Sequence, residues 1–154
     1  MDIQLFEVFT EVSIAVLGFS GITAAIGSQS HKMGFLAARV KGLLFAAGIT
    51  SVCSVAPLTS LHLFYCSIAY ILFATSLLIW AIFGLLRNPD AQSNMVVFVV
   101  GNSLMLSAIV SLIYALIVAP ENLLVAYVYS LCMSLLLAGI FFIRLVLAIV
   151  SPND

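Results

Sequence analysis

Between Gly42 and Leu86 the sequence contains no Lys, Arg, Asp or Glu. As one α-helix that stretch would run to about 68 Å, more than twice the roughly 30 Å of a bilayer's hydrocarbon core. It must therefore fold back on itself. Pro57-Leu58-Thr59-Ser60 marks the place, because proline lacks the N–H a helix interior needs and disfavours helix at the residue before it. Two spans are predicted, over 37–57 and 61–86. The run from Met95 to Val150 is again too long for one crossing and breaks at Ala119-Pro120-Glu121-Asn122, giving spans over 95–118 and 123–148. Composition agrees. Of 154 residues, 64% are hydrophobic and 7% charged, against roughly 25% charged in soluble domains. Too little polar surface is available to cover a water-soluble globule. The expected fold class is all-α, a single polytopic helical bundle over residues 1–154 whose solvent and first partner is the lipid bilayer. A net charge of −1 gives no electrostatic reason to expect a large nucleic-acid surface.

The first segment, Leu5 to Gly27, is long enough to cross but carries Glu7 and Glu11. Acidic residues stand where a cleavable signal peptide has its basic start. The expectation is five spans, or four plus an embedded amphipathic N-terminal helix. Lys32, Arg39 and Lys41 flank the first connection, Arg87 sits in the third connection and Arg144 lies near the C-terminal end. Two crossings separate each group from the next, so all five basic residues fall on one side, which the positive-inside rule makes cytoplasmic. Tyr65, Tyr70, Tyr114, Tyr127 and Tyr129 all fall in outer half-spans, as an interfacial aromatic belt would. The reading is an integral protein of a bacterial inner membrane with its N-terminus outside.

Little in this chain suits catalysis. Cys53, Cys66 and Cys132 are odd in number and lie in three spans without CxxC or Cys/His spacing, so neither a disulfide framework nor a metal site is expected. His31 and His62 fall on opposite sides of the membrane, where they cannot share a cofactor. Asp90, Glu121 and Asp154 read as solvated loop or terminal residues. No Ser/His/Asp set, phosphate loop or HExxH motif is present, and neither enzyme nor cofactor is expected.

Glu7 and Glu11 carry more information. Four residues apart, they share one helix face. Carboxylates inside a membrane are costly and usually face a protein interior or a watery cavity. That face continues through Gly18, Gly21 and Ala25, and small residues let membrane helices approach closely. One reading is a central helix of an oligomer with an acidic ring at a pore mouth and a small-residue packing or gate face; Leu5 or Phe9 could then close the axis. The other places both glutamates among headgroups, with the small stripe packed inside one subunit. Ser103, Ser107 and Ser111 step along span four, followed by Tyr114; Tyr127, Ser130 and Ser134 share a face of span five. Counting from Pro120 sets Ser111 level with Ser130 and Ser107 level with Ser134, which suits interhelical hydrogen bonds of about 0.6–2 kcal/mol each. Asn102 is an amide in need of a partner. His31, Lys32, Arg39 and Lys41 form a topology signal that symmetry in an oligomer would turn into a basic collar for anionic lipid or an anionic ligand. Arg144 is expected to snorkel to the headgroups.

Gly18-Phe19-Ser20-Gly21-Ile22, the short loop after it and Arg39 resemble a style of small bacterial multi-span membrane proteins that includes the channel subunits of the two-component Hailong phage-defence system. The likeness covers mainly residues 11–41. It implies a homo-oligomeric ion channel whose opening depolarises the cell, controlled by a nucleotidyltransferase partner through a cytoplasmic nucleic-acid regulator. The expected function is thus a homo-oligomeric channel subunit, with antiviral defence as its setting. The alternatives are a non-conducting membrane adaptor or partner subunit, and, third, a small transporter. No inverted repeat and no ionisable midplane residue in spans four and five supports transport.

Overall fold

A computed structural model describes residues 3–27, 33–59, 62–87 and 95–150. Among these residues five α-helices follow one another: α1 (Ile3–Gly27), α2 (Met33–Val55), α3 (Leu63–Arg87), α4 (Met95–Ile117) and α5 (Leu123–Val150). Short 3₁₀ turns at Ala56–Thr59 and Pro120–Asn122 join α2 towards α3 and α4 to α5, so both proline-marked breaks fall where proline chemistry puts them. Three segments, Leu63–Gly84, Phe98–Ile117 and Pro120–Arg144, are long and apolar enough to cross a membrane, and Gly42–Leu58 is a shorter apolar helix. No strand occurs among the described residues. The positions His31, Lys32, Asp90 and Asp154, and the side chains of Ala25, Arg39 and Lys41, lie outside what is described.

The helices α2 and α5 run along each other through the middle of the bundle; α1 packs on α2, α4 on α5, and α3 rests more lightly across α2 and α4. Pairings along the seams fix the directions. Thr10 meets Ser54 and Ser13 meets Ser51, so three residues forward on α1 is three residues back on α2. Tyr127 reaches Cys53 while Phe141 meets Gly42, which runs α5 antiparallel to α2. The 57–59 turn, the start of α1 and the start of α5 therefore share one end of the bundle. Lys41 and Arg144, beside Gly42 and Phe141, belong to the other.

The core is filled rather than hollow. Phe6, Leu43, Tyr70, Met105, Leu112, Tyr127 and Leu131 are fully buried along its length. Two of the tyrosines expected in an aromatic belt are among them. Tyr65, Tyr114 and Tyr129 are exposed, but Tyr70 and Tyr127 point inward and staple helices together. The reason is backbone chemistry. In a continuous helix the Cys53 carbonyl would accept from the N–H four residues on, and that residue is Pro57, which has none. The Tyr127 hydroxyl donates to this carbonyl at 2.6 Å. In an apolar interior without water an unmatched carbonyl is expensive, so the phenol takes the place of the missing amide. Tyr70 links α3 to α5: its hydroxyl donates to the Ser130 carbonyl at 2.8 Å and lies 2.6 Å from Ser134 Oγ. The Tyr70 and Tyr127 rings meet edge to face at 6.4 Å, with Phe6 6.1 Å from Tyr127.

Close helix approach occurs at glycines other than those on the α1 face. A Cβ added at Gly42 would stand 3.1 Å from the Phe141 ring, and one at Gly101 would stand 2.8 Å from Leu137 Cδ1. A methyl end can rotate aside; a ring wedged between helices cannot easily do so. Gly42→Val is expected to lower stability by about 1–3 kcal/mol through overpacking, whereas Gly18→Ala, where a Cβ would meet nothing within 4 Å, is expected to leave it unchanged or raise it by up to about 1 kcal/mol. Thermal unfolding of both variants in one detergent checks this.

Candidate functional site

One face of α1 enters the core and the opposite one does not. Phe6, Phe9 and Ser13 are buried, and Thr10, Val16 and Leu17 are partly buried. These recur at three- and four-residue steps, the spacing of one helix face. Glu7, Glu11, Gly18 and Gly21 lie roughly a third of a turn away and are exposed, with Ile14 and Ile22 beside them. At Gly18 and Gly21 alike a Cβ would meet nothing within 4 Å. Among the described residues Gly18 and Gly21 therefore form no seam with another helix: α1 docks on α2 through hydroxyls and aromatic rings, and these two glycines face outward together with the carboxylates.

Depth follows from the α1/α2 register. With Thr10 opposite Ser54, Glu7 stands level with the Pro57 turn and Glu11 level with Cys53. At about 1.5 Å per residue, Glu11 lies roughly 6 Å further from the bundle end than Glu7. The described basic side chain, Arg144, belongs to the far end of the bundle.

The remaining predicted residues are placed differently from their expected pairings. Ser130 is buried and donates to its own-helix Ala126 carbonyl at 2.8 Å, with the Ala108 carbonyl of α4 at 3.2 Å, rather than to Ser111. Ser134 is buried and partners Tyr70, with Met105 Sδ at 4.0 Å, rather than Ser107. Ser107 instead bonds the Leu104 carbonyl and the Tyr129 hydroxyl, at 2.8 and 3.2 Å. Ser103 is exposed and Ser111 half-buried. Level counting gives depth but not rotation about the helix axis, and the 108/130 approach turns the α4 serines away from those of α5. Asn102 Nδ2 donates to the Phe98 carbonyl one turn back, which meets part of its hydrogen-bonding demand locally. Phe9 is buried in the bundle and does not sit at an external axis; Leu5 is exposed. Cys53, Cys66 and Cys132 are in no disulfide, and no metal-holding group of His, Cys, Asp or Glu occurs among the described residues. His62 is exposed.

Two features went unread in the sequence. One is the Tyr127–Cys53 bond, whose signal was available: any proline after a helix orphans the carbonyl four residues before it. The other is the set of hydroxyls Thr10, Ser13, Ser51 and Ser54, spaced by three on each of two adjacent helices. Comparison with known proteins adds nothing to this geometry: no family model, no curated protein and no solved structure matches the chain.

Proposed function

We propose that this protein is a subunit of a homo-oligomeric membrane channel in which α1 faces the axis. The observation that carries the reading is the uncovered face of α1, where Glu7 and Glu11 continue into Gly18 and Gly21 and are exposed among the described residues. Lipid gives membrane helices no hydrophobic drive to associate, so close packing of small residues and shelter for polar groups do that work. Both are offered on this face. The interior of one subunit is filled by Phe6, Tyr70, Met105 and Tyr127, so a water path runs between copies rather than through one. Copies meeting along α1 would set Glu7 and Glu11 in rings, and carboxylate rings favour cations. In this reading the chain lies in a bacterial inner membrane, with Lys32, Arg39 and Lys41 on the cytoplasmic side, where a regulatory partner or an anionic ligand would act. A role in phage defence by depolarisation follows from the resemblance at residues 11–41.

Planar-bilayer recording of the purified protein tests it. The expected result is a cation-selective conductance that falls when Glu7→Gln and Glu11→Gln are introduced together. Silence under every stimulus, or a conductance indifferent to both substitutions, overturns the proposal. A monomer that copurifies with a second protein would instead mark an adaptor whose partner covers the same face.

A further inference from the structure

Ser103, Ser107, Ser111 and Tyr114 recur at steps of four, four and three residues, so they share one face of α4. That face belongs to the outside of the bundle. Ser103 and Tyr114 are exposed, Ser107 and Ser111 are half-buried, and Leu106 and Val110 are exposed beside them. Tyr129 of α5, also exposed, adds its hydroxyl 3.2 Å from Ser107 Oγ. Ser107 has the Leu104 carbonyl at 2.8 Å as well, whereas the side chains of Ser103, Ser111 and Tyr114 bond nothing among the described residues. Acyl chains can neither give nor take a hydrogen bond, so lipid does not satisfy this stripe.

The uncovered face of α1 has the complementary chemistry. An ionised carboxylate only accepts hydrogen bonds, and a hydroxyl can donate one. Within one copy the two faces are apart, since α1 and α4 do not touch among the described residues. Contact between them has to be made by two copies. Rotation about an axis along the membrane normal leaves depth unchanged, so a residue can meet on the next copy only what stands at its own level.

The levels agree. Tyr127 with Cys53, and Phe141 with Gly42, put the level of Cys53 at 127–130 on α5. Ser130 with Ala108, and Leu137 with Gly101, carry that level to 108–111 on α4. Glu11, level with Cys53, thus stands within a turn of both Ser107 and Ser111. The helix α4 runs antiparallel to α1, so Glu7 falls level with 112–115, where Tyr114 is, and Gly18 level with 101–104, where Ser103 is. Acceptors thereby meet donors, and the glycine meets a small side chain.

We propose that α1 of one copy packs on α4 of the next, the Glu11 carboxylate accepting from the Ser107, Ser111 and Tyr129 hydroxyls and Glu7 from that of Tyr114. The partner of the hydroxyl stripe is a second copy of this chain. The inference rests on the homo-oligomeric reading above and deepens it. Carboxylates of successive copies still form rings, but each is sheltered by its neighbour's hydroxyls rather than by a facing α1. Hydrogen bonds to a charged acceptor are the strong ones, and none is open to a carboxylate in lipid.

Disulfide trapping between two differently tagged chains decides it, in membranes treated with copper phenanthroline and air. The background carries Cys53→Ala, Cys66→Ala and Cys132→Ala. One chain has Glu11→Cys; the other has Ser107→Cys or, as a control about 10 Å deeper, Val100→Cys, also at an exposed position. The expected result is a mixed dimer through 11 and 107 and none through 11 and 100. An oligomer that does not join 11 to 107, or joins 11 to 100 as readily, overturns this contact and leaves the channel reading standing. A monomer in native lipid discs overturns both. Should the cysteine-free chain fail to fold, dissociation constants measured with the native cysteines give the second test. Glu11→Leu alone, and Ser107→Ala with Ser111→Ala, should each weaken association about threefold to tenfold. All three changes together should do little more than either set, because they break one contact. Effects that simply multiply, or no effect, overturn the proposal.

Discussion

Truncating Tyr127 to alanine should remove about 3–5 kcal/mol of stability, the range for large buried aromatic side chains, and so lower the unfolding midpoint by roughly ten degrees at about 2–4 °C per kcal/mol. Three losses coincide at this position. The ring is fully buried against Phe6 and Tyr70, its removal opens a cavity that acyl chains outside the bundle cannot fill, and its hydroxyl is the donor for a carbonyl that Pro57 cannot serve. Tyr127→Phe separates the terms. It keeps the ring and deletes the hydroxyl, and should account for about 1–2 kcal/mol of the total, towards the upper end of hydrogen bonds measured within membranes, because the Cys53 carbonyl is left bare. Tyr129→Phe is the matched control. That side chain is exposed and its hydroxyl makes a longer bond to Ser107, at 3.2 Å, so its loss should fall below about 0.6 kcal/mol. Unfolding of the three variants in one detergent provides the comparison; equal effects of the two Tyr→Phe changes would refute the assignment of Tyr127 to the orphaned carbonyl.

The second large effect is expected in assembly rather than folding. Gly18→Leu and Gly21→Leu place bulk where nothing among the described residues lies within 4 Å of an added Cβ. The subunit should fold as before and gain slightly, since leucine is a better helix former than glycine by up to about 1 kcal/mol each. If copies meet along this face, four added heavy atoms per position keep the helices apart. Association that depends on close packing should then weaken by about tenfold or more. Mass measurement of the protein in native lipid discs reads the oligomer directly, and bilayer recording reads its conductance. An unchanged oligomer carrying both leucines would move the interface off α1 and withdraw Glu7 and Glu11 from any pore.

The two carboxylates were legible in the sequence as a shared face, because the helical repeat alone fixes that relation. Which way the face points was not legible. Phe6, Phe9 and Ser13 lie on the same helix, and only their burial against α2 and α5 shows that the glutamates face outward. The serines of α4 and α5 teach the converse. Their depth could be counted from Pro120, but their partners depend on rotation about each axis, and Ser134 went to Tyr70 rather than to Ser107. For the same reason Tyr70 and Tyr127 read as belt residues from their depth, while tertiary packing turned them inward.

The amino-acid sequence by itself determined the solvent of this protein, the helical class and the two proline breaks, because each depends on hydropathy run length and on the chemistry of single residues. Tertiary structure alone decided which tyrosines close the core, which glycines admit a neighbour and which face of α1 is left bare. These depend on the rotation of one helix against another, a quantity set jointly by residues far apart in the chain.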